Sequence, residues 1–64
     1  MQVEYQIVPH KGDFAFSVNN KVYDTAAAFE QDYPLDQFKD AVFSCDFDFS
    51  WHEIRNDIIF QWGE

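Results

Sequence analysis

The side chains best suited to chemistry lie in one short stretch, Cys45 to His52, which reads Cys-Asp-Phe-Asp-Phe-Ser-Trp-His. Polar and aromatic residues alternate strictly there, as in a β-strand with one polar face and one aromatic face. Such a strand would place Asp46, Asp48, Ser50 and His52 on one side, and Phe47, Phe49 and Trp51 on the other. The polar side therefore offers carboxylate, hydroxyl and imidazole groups close together, the components of a hydrolytic triad or a metal site.

Neither kind of chemistry is expected from this group. A triad of Ser50, His52 and Asp48 would need an oxyanion hole, which no motif supplies, and a cleft, for which 64 residues leave little volume. A metal site lacks ligands, because the chain has only two histidines and one cysteine, and the glycine and glutamate of a calcium loop are missing. We predict that the protein is not an enzyme and holds no metal or cofactor.

The single cysteine, Cys45, excludes an internal disulfide and is typical of a reducing compartment. Helical spacing relates it to Leu35, Phe38 and Val42, which predicts that the thiol packs in the core. The first residues lack the basic and apolar regions of a signal peptide, and no segment is long enough to span a membrane. We therefore expect a cytoplasmic protein.

The charge balance is strongly acidic and uneven. Twelve acidic residues against four basic ones give a formal charge of −8, which disfavours binding to nucleic acids and to anionic membranes. Residues 1–28 hold three of the acids and two of the bases, whereas residues 29–64 hold the other nine acids and two bases. The acids alternate with aromatic and aliphatic residues, which disordered acidic tails lack. The sequence thus predicts a folded surface with a concentrated negative field.

The elements that position these acids follow from the apolar periodicity. Alternation predicts strands over residues 2–8, 13–18 and 21–23, and Asn19-Asn20 is a tight-turn signal between the last two. The residues expected to face the core from the first two strands are Val3, Tyr5, Ile7, Phe14, Phe16 and Val18.

Two short helices are predicted next. Asp24 and Thr25 are N-cap residues ahead of a helix over 26–31, and Pro34 is a favourable first residue for a second helix that reaches about Ser44. Residues 46–62 are predicted to form a second hairpin, with Ile58, Phe60 and Trp62 pointing inward. The alternative for Trp51 to Arg55 is a helical turn. The whole chain, 1–64, is then one small α+β domain, in which an antiparallel sheet of order β-β-(β)-α-α-β-β is packed on one face by two short helices.

The acidic positions suggest a binding surface rather than an active site. Asp36 and Asp40 would lie about 6 Å apart along a helix, and Asp46 and Asp48 about 6.6 Å apart along a strand. Both intervals resemble the spacing of successive phosphates, and like charges at such spacing do not stabilise the fold. The predicted partner-binding residues are Glu30, Asp32, Asp36, Asp40, Asp46, Asp48, Glu53 and Asp57.

In size and charge the chain resembles phage-encoded inhibitors of host defence or transcription machinery. The resemblance implies a nucleic-acid mimic that docks on the basic surface of a nucleic-acid-binding enzyme, in the host cytoplasm if the protein is phage-encoded. An immunity protein or antitoxin that neutralises a basic nuclease has the same electrostatics and is an alternative. The acidity could instead serve solubility alone, or the chain could be an assembly subunit or homodimer that uses Trp51 or Trp62 for contacts.

Overall fold

Five strands and three helices form the α+β fold that the computed structural model describes over residues 1–63. The strands are β1 (Gln2–His10), β2 (Asp13–Val18), β3 (Lys21–Tyr23), β4 (Val42–Ser44) and β5 (Asp48–Ser50). The helices are α1 (Ala26–Asp32), α2 (Leu35–Phe38) and α3 (Trp51–Trp62). The sheet order is β3-β2-β1-β4-β5. The α+β class is confirmed, and the antiparallel sheet is corrected at one place, because β1 and β4 are parallel.

The first three strands form the predicted meander. Lys11 and Gly12 connect β1 to β2, and Asn19 and Asn20 connect β2 to β3. All four residues have positive φ, which is the conformation that two-residue hairpin turns require and that glycine and asparagine adopt most easily. These local turn signals therefore determine the register of the N-terminal half.

The first helix forms as predicted, and the second is shorter than predicted. The Ala28 amide donates to Thr25 Oγ1 at 3.2 Å, which caps α1, and Pro34 directly precedes α2. The second helix ends at Phe38 rather than near Ser44, because Val42–Ser44 pairs with the N-terminal end of β1. The predicted stripe of Leu35, Phe38, Val42 and Cys45 is therefore wrong: Leu35, Val42 and Cys45 are exposed.

The C-terminal segment is a helix, so the predicted hairpin over 46–62 and its strand from Ile58 to Trp62 are wrong. Only Asp48–Ser50 is a strand, paired with β4. At the start of α3 the Glu53 amide donates to Ser50 Oγ at 3.2 Å, and the Ser50 amide donates to Glu53 Oε1 at 2.9 Å. This reciprocal pair is a capping box. The alternative helical turn from Trp51 to Arg55 is confirmed, and it continues for two more turns.

The core lies between one face of the sheet and the helices α1 and α3. Phe29 of α1 is fully buried and packs its ring against Tyr23, Tyr33, Phe43 and Trp51. Trp51, Ile54 and Ile58 are the buried residues of α3, at spacings that place them on one side of a helix. Because Trp51 is buried, it is not available for the dimer contact that the sequence suggested.

Several apolar residues expected to face the core are exposed instead. Ile7 and Phe14 lie near the end of the β1–β2 hairpin and are 50% and 58% exposed. Phe47, predicted to share an aromatic face with Phe49 and Trp51, lies in the β4–β5 turn and is 73% exposed. Phe60 is 90% exposed on α3. Among residues 1–63, no helix is long and apolar enough to cross a membrane.

Candidate functional site

Two of the eight predicted contact residues are held by basic residues of the protein itself. Glu30 Oε1 accepts from Arg55 Nε at 2.7 Å, which links α1 to α3. Asp32 Oδ2 accepts from Lys21 Nζ at 2.6 Å and from the Tyr23 hydroxyl at 2.8 Å. The hydrogen bonds from Lys21 and Tyr23 lower the pKa of Asp32. Burial and then the bond to Asp32 raise the pKa of Tyr23. Both carboxylates therefore link α1 to other elements of the fold, Glu30 to α3 and Asp32 to β3.

A third ion pair engages another base, although Lys11 itself stays exposed. Asp24 Oδ2 contacts His10 Nε2 at 2.9 Å and Lys11 Nζ at 3.1 Å. The hydrogen bond to His10 and, to a smaller extent, the one from Lys11 lower the pKa of Asp24. Lys11, Lys21 and Arg55 are thus all engaged with acids, and Lys39 is the one Lys or Arg of residues 1–63 outside an ion pair.

Six exposed carboxylates remain without a hydrogen-bond or ion-pair partner in the described part of the chain. Five of them belong to the predicted set of partner-binding residues. Glu53, another member of that set, is not counted because its side chain is engaged in the capping box of α3. The six residues are Glu4, Asp36, Asp40, Asp46, Asp48 and Asp57. The unpaired surface charge is therefore almost entirely negative.

The structure places Asp46 and Asp48 together and Asp36 and Asp40 elsewhere. Asp36 lies on α2 and Asp40 on the connection that enters β4. Asp46 lies in the turn that leaves β4, and Asp48 lies at the start of β5. The two pairs thus lie beyond opposite ends of β4. Asp57 lies on the exposed side of α3.

The register of the sheet adds Glu4 to the first pair. Glu4 of β1 lies opposite Ser44 of β4, which in turn lies opposite Asp48 of β5. Residues that face each other across strands share a face, and this face is turned away from the buried Phe43. The sequence alternation of Gln2, Glu4 and Gln6 indicates their common side, but nothing local indicates that β1 lies beside β4.

An open groove of about 870 Å³ runs along this polar face, and we name it the sheet groove. Its floor and walls come mainly from β1, the β2–β3 turn and the end of β4. The lining residues are Gln2, Val3, Glu4, Tyr5, Gln6, Ser17, Val18, Asn19, Asn20, Tyr33, Ser44, Cys45 and Asp46.

Hydrogen bonds hold the turn that carries Asp46. The Tyr5 hydroxyl donates to the Phe47 carbonyl at 2.9 Å, and the Cys45 amide donates to the same oxygen at 3.2 Å. Burial is the main reason that the pKa of Tyr5 is raised, which keeps its hydroxyl protonated as a donor. Next to it, Gln2 Nε2 donates to Ser44 Oγ at 2.7 Å. The groove wall is therefore fixed by bonds across strands.

The residues considered for catalysis do not form a triad here. Ser50 caps α3, and His52 is exposed in the first turn of the same helix. Among residues 1–63, no group of three or more His, Cys, Asp or Glu side chains is arranged to hold a metal ion. What the arrangement offers is a set of hydrogen-bond acceptors and negative charges carried on an ordered backbone.

Comparison of this chain with protein families, with curated proteins and with solved structures found no significant match.

Proposed function

We propose that the protein is a small acidic inhibitor that binds the basic nucleic-acid-binding surface of an enzyme, as a nucleic-acid mimic. One observation carries this proposal: three of the four Lys and Arg residues are engaged in internal ion pairs, while six exposed carboxylates have no partner within residues 1–63. The unpaired charge that a partner meets is thus almost entirely negative. A groove that attracts phosphates attracts such a surface as well.

The rigidity of the acidic positions supports the same proposal. Glu4 and Asp48 lie on strands of one sheet, and Asp46 lies in a turn that two hydrogen bonds hold. A backbone that is already ordered loses little conformational freedom on binding, so more of the electrostatic attraction is retained as affinity. The proposed place of action is the cytoplasm that contains the target.

The experiment is capture from a bacterial lysate on immobilised protein at low salt, followed by elution with a salt gradient and identification of the last proteins to leave. We expect a nucleic-acid enzyme that elutes as salt rises, because screening weakens exposed charge pairs. The captured enzyme should be inhibited by the protein, and an excess of its nucleic-acid substrate should displace the protein. Binding that is insensitive to salt, on a surface that nucleic acid does not compete for, contradicts the proposal.

A matched pair of variants strengthens this test. Asp46→Asn with Asp48→Asn removes two free charges from the groove side, whereas Gln31→Ser with Gln37→Ser changes two exposed neutral residues and leaves the charge unaltered. The first variant should elute at lower salt than the wild type, and the second should elute with it.

A further inference from the structure

The floor of the sheet groove carries a hydroxyl group that the fold does not use. Ser17 is only 8% exposed, and its Oγ has no hydrogen-bond partner within residues 1–63. Every fully enclosed side-chain nitrogen or oxygen in this part of the chain has a partner. The Ser17 Oγ must therefore remain open to the groove that the residue lines. A nearly buried hydroxyl without a partner marks a place where a ligand can supply the missing bond.

The groove walls define the chemistry of that ligand. Glu4 and Asp46 contribute carboxylates, and Gln6 and Asn19 contribute amides, while no Lys, Arg or His side chain of residues 1–63 lines the groove. A negatively charged ligand would be repelled by both acids. A cation with several N–H donors complements carboxylates, amide oxygens and a hydroxyl, and the planar guanidinium group has five such donors.

We infer that the sheet groove is the docking site for an arginine side chain on the basic surface of the partner. This inference rests on the proposed function and narrows it, because it assigns the principal contact to Glu4, Asp46 and Ser17 rather than to the acids of α2. The charge of the groove is complementary to a cation: within the described residues, it is lined by two unpaired carboxylates and no base. Its volume of about 870 Å³ also leaves room for the backbone on either side of the arginine.

The test uses acetyl-arginine amide as the probe, titrated into isotope-labelled protein and followed by amide NMR signals. We expect saturable shifts at Ser17, Asn19 and Asp46, and no shifts with acetyl-glycine amide. The variant Glu4→Gln with Asp46→Asn should bind the probe at least tenfold more weakly. The control is Asp36→Asn with Asp40→Asn, which loses the same charge on and just after α2 and should bind as the wild type does.

Equal weakening in the two double variants would overturn the inference, because it would show that the probe responds only to net charge. Shifts spread evenly over α2, α3 and the groove would overturn it as well. All four substitutions are exposed and isosteric, and an unchanged dispersion of the amide spectrum shows that each variant is folded.

The same variants separate this inference from the proposed function. If the α2 variant loses salt-sensitive capture of a basic partner and the groove variant keeps it, the inhibitor function stands and the arginine site fails. If the probe binds the groove but no salt-sensitive basic partner is captured, the guanidinium site stands and the proposed function fails.

Discussion

Removal of the Ser50 hydroxyl should destabilise the protein by a predictable amount. In the structure Ser50 Oγ accepts from the Glu53 amide at the N-terminus of α3, so Ser50→Ala leaves one amide of the first turn without its partner. Loss of an N-cap serine typically lowers the free energy of unfolding by about 1 kcal/mol. For a chain of 64 residues, the entropy of unfolding converts this into a fall in Tm of about 7 °C.

The effect is large because the whole protein is small. At typical values per residue, a chain of this length unfolds with roughly 3 to 10 kcal/mol, so one cap is a substantial fraction of its stability. Urea unfolding followed by far-UV circular dichroism measures the change. Tryptophan fluorescence gives a second signal from α3, since Trp51 and Trp62 both lie in this helix.

A β-branched residue at the same position weighs the two roles of Ser50, which is the last residue of β5 and the N-cap of α3. If residues 46–52 were the strand that alternation predicts, Ser50→Val would leave stability unchanged or raise it, because valine favours strands. At an N-cap, valine is as unfavourable as alanine or worse. We therefore expect Ser50→Val to be destabilised, and a valine variant as stable as the wild type would refute a net contribution of the Ser50 cap to stability.

Glu53 supplies the matched control. Glu53→Gln keeps a side-chain oxygen that can accept from the Ser50 amide, whereas Glu53→Ala removes it. We expect the glutamine variant to stay close to the wild type and the alanine variant to be destabilised. The effects of Ser50→Ala and Glu53→Ala should also be less than additive, because each substitution breaks the same reciprocal box.

Three further outcomes are expected. Phe29→Ala should lower stability by about 3–5 kcal/mol and leave little folded protein in a thermal melt, whereas Phe60→Ala, at a 90% exposed position, should not change the melt. The pKa of Asp32 is lowered in the folded state, so its contribution is present above about pH 4 and is lost as the pH falls through the folded pKa; urea titrations should show the stability gap to Asp32→Asn closing in acid. Cys45 is exposed and should react with a thiol reagent in native buffer, and a reaction limited by unfolding would contradict this.

The N-terminal half could be predicted from the sequence because its structure is determined locally. Alternation in β1 and β2 and the positive φ of Asn19-Asn20 depend on neighbours in the chain. The pairing of Val42–Ser44 could not be predicted in this way, because its partner β1 lies about forty residues earlier in the sequence. Helical spacing from Leu35 predicts a helix at these residues instead. Tertiary pairing with β1 overrode that local pattern.

The sequence predicts only the first turn of the last helix, and only as an alternative, although the signal of a longer helix is present. Ser50-Trp51-His52-Glu53 is the serine-x-x-glutamate pattern of a capping box ahead of an apolar run, but the strict alternation before it favoured a strand. At the site, the exposure of Asp46 and Asp48 was predictable. The internal partner of Glu30 was not, because it depends on the packing of α1 beside α3.

The single parallel pair has a consequence for the order of folding. Strand β1 occupies the centre of the sheet, yet its parallel partner β4 follows about forty residues later in the chain, a loop whose closure costs on the order of 3 kcal/mol in entropy. The β1–β2–β3 meander can form early from short-range contacts. The wall of the sheet groove that carries Asp46 is completed only after β4 docks on Gln2, Val3 and Glu4. A nascent chain released before this docking would thus display the meander without the acidic binding face.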